Sequence, residues 1–233
     1  MTPEAVSALL DATWPAAAFH RRAGWCLREG AGGGRRVSAA TAETPGADIA
    51  QAEDAMRALG QAPLFMLRAG EGALDTALDA RGYATETETE ILASPVARVA
   101  EPRPRGRRVY PVWPPLAVQA DLWAAGGIGP ARLAVMARAA GPRTGLLARR
   151  NDRVAGAAFV ALSGDTAMLH ALEVPAPWRR QGVARDILRA AAAWAEARGA
   201  ETFAVAVERA NAPARALAAA MGMTRAAAYH YRA

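Results

Sequence analysis

The residues best suited to do chemistry are gathered in one run, Leu172-Glu173-Val174-Pro175-Ala176-Pro177-Trp178-Arg179-Arg180-Gln181-Gly182-Val183-Ala184. The apolar stretch leading to Glu173 and Val174 reads as the end of a strand. From Gly182 onward, Val183, Ile187, Leu188, Ala191, Trp194 and Ala195 recur at helical spacing. A strand-to-helix junction of this kind leaves backbone N–H groups unpaired at the positive end of the helix dipole, which suits them to hold a phosphate. Gly182 lets the backbone approach an anion closely, Ala184 adds little bulk one turn in, and Arg179 or Arg180 supplies permanent charge. The chain has no G-x-G-x-x-G and no Gly-Lys-Ser/Thr, so the dinucleotide and P-loop patterns do not apply.

The elements that must position this run can be read on either side of it. A helix is expected at 131–140, with strands near 145–150, 153–162 and 166–174; the pair Asn151-Asp152 marks a hairpin turn and Ser163-Gly164-Asp165 a second turn. The helix beginning at Gly182 is expected to stop at Arg198-Gly199, followed by a strand at 202–208, a helix at about 212–221 and a last strand at 225–232. The first half echoes this order. Gly24 to Arg28, a Gly-rich turn at 30–34 and Arg36 to Ala39 read as a hairpin, and Leu64 to Leu67, a short helix through Leu74 and Leu78, and Gly82-Tyr83 match the second half from Phe203 to Gly222-Met223. Between the halves, prolines at 102, 104, 111, 114 and 115 discourage both helix and central strand. The expected division is a domain at 1–99, a Pro/Arg-rich linker at 100–115 and a second domain at 116–233.

Composition narrows the class. The chain has 233 residues, 52% hydrophobic and 21% charged, which is enough to bury a substantial core and unlike a disordered segment. No run approaches the ~20 apolar residues of a membrane span, and Met1-Thr2-Pro3-Glu4 has no basic segment followed by an apolar one, so no membrane association and a cytoplasmic protein are expected. One cysteine, Cys26, and three scattered histidines exclude a disulfide framework and offer no metal-ligand spacing. The net charge of +6 comes entirely from arginine, with no lysine, and alanine is abundant throughout. This is read as compositional bias: the cluster Arg103, Arg105, Arg107 and Arg108 carries no interleaved aromatic platform, so a nucleic-acid partner is not expected.

The run Arg179-x-x-Gly182-x-Ala184, after Val174 and Trp178 and about thirty residues before Asn211-x-x-Ala214-x-x-Leu217 and Met221-Gly222-Met223, resembles the GNAT superfamily of acyl-CoA-dependent N-acetyltransferases. The likeness covers about residue 145 to the end. The first half lacks the Arg-x-x-Gly-x-Gly/Ala string and looks like a degenerate copy. What the resemblance implies is an α/β (α+β) fold with a twisted, splayed mixed sheet flanked by helices, in two related modules. It also implies acetyl-CoA as acyl donor, its pantetheine arm pairing with the strand end at Leu172 and Val174. Its pyrophosphate would lie on the amides of Arg180, Gln181, Gly182, Val183 and Ala184, with Asn211 contacting the cofactor. Asn211 before Ala212-Pro213 also suits a helix N-cap.

The activity implied is transfer of an acetyl group to a primary amine of a small molecule or peptide by direct attack. Glu173, ending the strand beside the thioester, is the first candidate for general base and His170 the second. Strict alternation places them on opposite faces unless a bulge intervenes, which makes them rivals. Family members often carry a tyrosine after the leucine of the Asn-x-x-Ala-x-x-Leu segment; here that position is Ala218, leaving Tyr229 or Tyr231 as substitutes for the leaving-group acid. The missing tyrosine and the altered first half leave a second reading open, a non-catalytic acyl-CoA-binding or assembly module. The acceptor wall is expected from 115–142, including Trp123, Arg132 and Arg138, without a recognisable code. A homodimer is compatible with the sequence.

Overall fold

The computed structural model describes residues 2–102 and 108–233; Arg103, Arg105 and Arg107 of the basic cluster lie outside the described residues. The first half runs α1 (Pro3–Thr13), β1 (Ala18–Arg22), β2 (Trp25–Glu29), β3 (Thr41–Ala42), α2 (Ile49–Ala58), β4 (Phe65–Arg68), α3 (Gly72–Ala80), β5 (Thr85–Pro95) and α4 (Val96–Ala100). The second runs β6 (Val109–Val112), α5 (Ala117–Ala125), α6 (Pro130–Arg138), β7 (Arg143–Arg150), β8 (Arg153–Ser163), β9 (Thr166–Glu173), α7 (Val183–Glu196), β10 (Thr202–Glu208), α8 (Ala212–Ala220) and β11 (Thr224–Arg232). Among the described residues the strands form a small sheet ordered β1-β2-β3 and a large one ordered β4-β11-β5-β10-β9-β8-β7-β6. A parallel bridge from Ala40 to Phe65 links the two.

The order is palindromic about the central antiparallel pair β5 and β11. Moving outward on one side, β11 pairs antiparallel with β4, which meets Ala40 in parallel, and β3 pairs antiparallel with β2. On the other side β5 pairs antiparallel with β10, β10 runs parallel to β9, and β9 is antiparallel to β8. The last long strand of each half is therefore inserted between two strands of the other half. The sheet crosses the expected chain division near residue 100, because β5 of the first half lies between β10 and β11 of the second.

Two local expectations are corrected. The first-half hairpin is β1 with β2, turning at Ala23-Gly24, both at positive φ, while 35–37 form a single 3-10 turn. The Gly-rich stretch before it lacks the alternation that would hold a strand. Within the expected linker, residues 109–112 form β6 despite Pro111, since β6 lies at the sheet edge, where a missing N–H breaks no ladder on the open side.

Packing follows the strand alternation. Ala158, Val160 and Leu162 of β8 face a core filled by Val183, Ile187, Leu188 and Ala191 of α7, whose apolar residues fall on one face at i, i+4 and i+5. Ala157, Phe159 and Ala161 face the opposite core, built from Trp14 and from Trp123, Val135 and Met136 of α5 and α6. Burying side chains the size of Ile187 and Phe159 contributes about 1.5–3 kcal/mol each, which fixes both layers on β8. Gly156 allows α7 to lie close, because a Cβ there would stand 3.0 Å from Ile187 Cδ1 and 3.0 Å from the Glu173 carbonyl.

Candidate functional site

Strands β9 and β10 pair in parallel only from Thr166–Leu169 against Thr202–Val205. Beyond that point β9 follows β8 to Glu173 while β10 follows β5 to Glu208, so the sheet opens between them. At the opening β9 is bulged: Phe159 faces His170, yet Ala157, two residues earlier on β8, faces Glu173, three residues later on β9. Ala171 takes φ +51° to accommodate the extra residue. The indole N–H of Trp123 donates to the Ala171 carbonyl at 2.8 Å and holds the bulge from the α5 side.

The bulge places Glu173 and His170 on the same face, where simple alternation separates them. Their surroundings differ. His170 is buried, its ring 5.0 Å from that of Trp14. Its Nε2 lies 2.9 Å from Thr13 Oγ1, whose own proton goes to the Leu9 carbonyl at 2.7 Å, so Nε2 carries the hydrogen and donates to the hydroxyl. Nδ1 then accepts from Arg36 Nη1 at 3.2 Å. Burial, with the Arg36 charge second, holds its pKa well below the usual imidazole range. A neutral ring with both nitrogens engaged has no free lone pair with which to take a proton.

Glu173 is partly exposed, and its carboxylate packs against the turn after α5: a Cβ on Gly126 would stand 2.7 Å from Glu173 Cδ. Arg179 Nη2 lies 3.7 Å from Glu173 Oε1, and Arg179 Nε donates to the Val174 carbonyl at 2.8 Å. The guanidinium is mostly exposed, so the ion pair is worth little.

Between β9 and α7, Arg180 at φ +62° and Gly182 at φ +80° turn the chain sharply. Gly182 is the N-cap of α7 and supplies no capping side chain. Among the described residues, the amides of Arg180, Gln181, Gly182, Val183 and Ala184 meet no acceptor. Nothing lies closer than 3.9 Å to a Cβ built on Gly182, so its glycine serves the left-handed backbone conformation, while the space in front stays clear. Arg150 braces the turn, donating to the Gln181 carbonyl at 3.3 Å and to Asp186 at 2.7 Å. The corresponding helix of the first half, α2, is different: its N-cap Asp48 accepts from the Ala50 amide at 2.9 Å and so puts a carboxylate where an anion would sit.

Asn211 is the N-cap of α8, its Oδ1 accepting from Ala214 N at 3.1 Å. Ala218 is buried in the core beside Leu217 and Met221 and offers no hydroxyl. Tyr229 and Tyr231 are buried on β11, their rings edge to face at 5.6 Å, with the Tyr229 hydroxyl accepting from Arg36 Nε at 3.3 Å. Burial raises the Tyr231 pKa far above the usual phenol value. Tyr229, Tyr231 and Arg36 line a cavity of about 510 Å³ against the opened sheet, distinct from the turn of amides. The roles of Trp123, Thr13 and Arg36 in this arrangement have no local signature in the sequence.

A bulged strand end, an opened sheet and a helix entry of free amides make the geometry on which a family comparison can bear. Residues 110–223 match the sequence model of the acetyltransferase (GNAT) family. That segment, just under half of the chain, is a GNAT-family acetyltransferase domain by this match. Solved structures agree on the fold. A functionally unknown conserved protein from Staphylococcus epidermidis superposes with a TM-score of 0.71 at 10% identity, covering 95% of both chains. A GCN5-related N-acetyltransferase from Kribbella flavida gives 0.66 at 16%, covering 98% of this chain and 93% of that one. A tandem GNAT protein from the clavulanic acid biosynthesis pathway gives 0.60 at 14%, covering 83% and 74%. No curated protein matches by sequence. GNAT chemistry is acyl transfer, and no helix among the described residues is long and apolar enough to cross a membrane.

Proposed function

We propose that the second half transfers an acetyl group from acetyl-CoA to a primary amine, and that the observation carrying this reading is the row of free amides from Arg180 to Ala184 beside the bulged end of β9. Acetyl-CoA supplies an activated thioester. The chain's part is to hold the donor, orient the amine and move one proton. The amides and the α7 dipole take the pyrophosphate, with Arg150, Arg179 and Arg180 adding charge around it. The pantetheine follows Leu172 and Val174 in the gap left by β10 and draws Arg179 away from the Val174 carbonyl and from Glu173. Asn211 keeps its capping bond and presents its amide group to the donor.

Glu173 is the general base. As the amine nitrogen bonds to the acyl carbon and the carbon–sulfur bond breaks, the amine proton passes to its carboxylate directly or through one water. The Val174 amide is assigned to donate to the developing oxyanion. His170 is a positioning residue, because its lone pair is already committed to Arg36. Tyr229 is engaged with Arg36 at the cavity wall and is assigned to acceptor binding, so the thiolate leaves without an enzymic acid.

The first half is a diverged copy of the second. The palindromic strand order supports the duplication, and Asp48 at the head of α2 supports loss of donor binding there. Calorimetric titration with acetyl-CoA tests the site. Micromolar binding is expected to vanish in Gly182→Glu and to persist in Glu173→Gln, which should lose turnover measured by thiol release. Binding that survives Gly182→Glu would move the donor elsewhere, and binding with no transfer to any amine would favour the non-catalytic acyl-CoA module.

A further inference from the structure

The cavity of about 510 Å³ lies between the halves, floored by β9, β10, β5 and β11 and roofed by the Gly33–Arg36 loop and the start of α6. Its size suits a small molecule. Its charges are unevenly matched. Arg35 is paired with Glu86 and donates to Thr87 Oγ1 at 2.9 Å. Arg36 is not paired with any carboxylate among the described residues; its neighbours are the Tyr229 and Tyr231 hydroxyls and His170 Nδ1, all neutral. Arg132 on α6 has no hydrogen-bond or ion-pair partner among the described residues. It lies over Gly34, where a Cβ would stand 3.3 Å from its Nη2, and it lines the cavity together with Arg36. Glu208, at the tip of β10 on the rim, is the acidic side chain of the lining.

A half-buried guanidinium among neutral partners has lost hydration without gaining a counter-charge, and a carboxylate is the group that returns it, since its two oxygens match the planar fork. We infer that the acceptor is a small amine bearing a carboxylate, an amino acid or a compound of that kind, whose carboxylate lies on Arg36 and Arg132 while its body rests against Tyr229, Tyr231 and Trp14. Ala171 lines the same cavity and Gly126, against which Glu173 packs, lies two residues before its lining residue Ile128. An amine extending from the carboxylate toward the bulge approaches the base. This inference rests on the acyltransfer reading for its direction of attack, but the carboxylate site can be measured without it.

The test is titration of the full chain, with CoA present, against the common amino acids and their α-carboxamides. At least one acid, aromatic or large apolar, is expected to bind at least tenfold tighter than its amide, and Arg132→Ala, at an exposed position, should cut that preference severalfold. Arg36→Lys should reduce it further, with acetyl-CoA affinity unchanged in both variants as the check on folding. Equal affinity for acids and amides, no amino acid bound, or a preference untouched by Arg132→Ala and Arg36→Lys would each overturn the inference. Failure of the chain to bind acetyl-CoA would instead refute the acyltransfer reading and leave the acid-to-amide ratio to decide the site.

Discussion

Replacing Trp123 by phenylalanine isolates the contact that holds the bulge. Trp123 is fully buried, and its indole N–H donates to the Ala171 carbonyl at 2.8 Å. Phenylalanine keeps an aromatic ring against Phe159 and its neighbours but leaves that carbonyl without its donor, a loss of about 1–3 kcal/mol, with about 1 kcal/mol more for the volume of the smaller ring. At roughly 2–4 °C per kcal/mol for a chain of this length, the melting temperature should fall by roughly 4–16 °C. Ala171→Gly is the matching control. Glycine removes the left-handed penalty of about 1–2 kcal/mol at φ +51° but adds about 0.5–1 kcal/mol of backbone entropy to the unfolded chain, so its stability should equal the parent's or exceed it by up to about 1.5 kcal/mol. Because Glu173 follows the bulge by two residues, Trp123→Phe should also lower kcat by at least about tenfold, with a smaller loss of acetyl-CoA affinity through Leu172 and Val174 on the same strand end. Calorimetric melting and thiol-release kinetics on both variants provide the assay. A Trp123→Phe protein that melts within about 2 °C of the parent and turns over normally would refute the claim that this bond sets the strand end.

Two further outcomes follow from the same geometry. Gly126→Ala, at an ordinary φ of −88°, forces its methyl onto the Glu173 carboxylate 2.7 Å away; kcat should drop with little change in donor binding, read by paired kinetics and calorimetry. His170, whose folded pKa lies well below the ordinary value of 6.5, should make stability pH-dependent: above 6.5 both states hold it neutral. As pH falls below that value the unfolded chain takes the proton first, and stability declines by up to about 1.4 kcal/mol per pH unit until the folded pKa is reached. Denaturant melts between pH 7 and 5 should show a smaller slope for His170→Gln than for the parent.

What the sequence by itself determined is the set of local signals. Helix α7 was legible because its apolar residues recur within one turn of each other, and the β7–β8 hairpin because Asn151 and Asp152 both adopt the positive φ its turn requires. The strand from 202 to 208, the turn before α7 and the capping role of Asn211 were readable for the same reason: each depends on residues within four positions. The Arg-Gly-Ala run and the downstream Asn segment were enough to identify the family resemblance.

Tertiary structure alone decided what depends on distant partners. The bulge at Ala171 exists because β8 supplies one residue fewer than β9 over the same span and Trp123, 48 residues away, holds the displaced carbonyl. That register brought Glu173 and His170 to one face, and Thr13 and Arg36 from the other half engage both ring nitrogens of His170. The exchange of β5 and β11 was likewise invisible, since a strand's own residues fix which face is apolar but not which neighbour it pairs with. The cationic cavity follows from that exchange: Arg36 comes from the first half and Arg132 from the second, and the shared sheet lets both line one cavity.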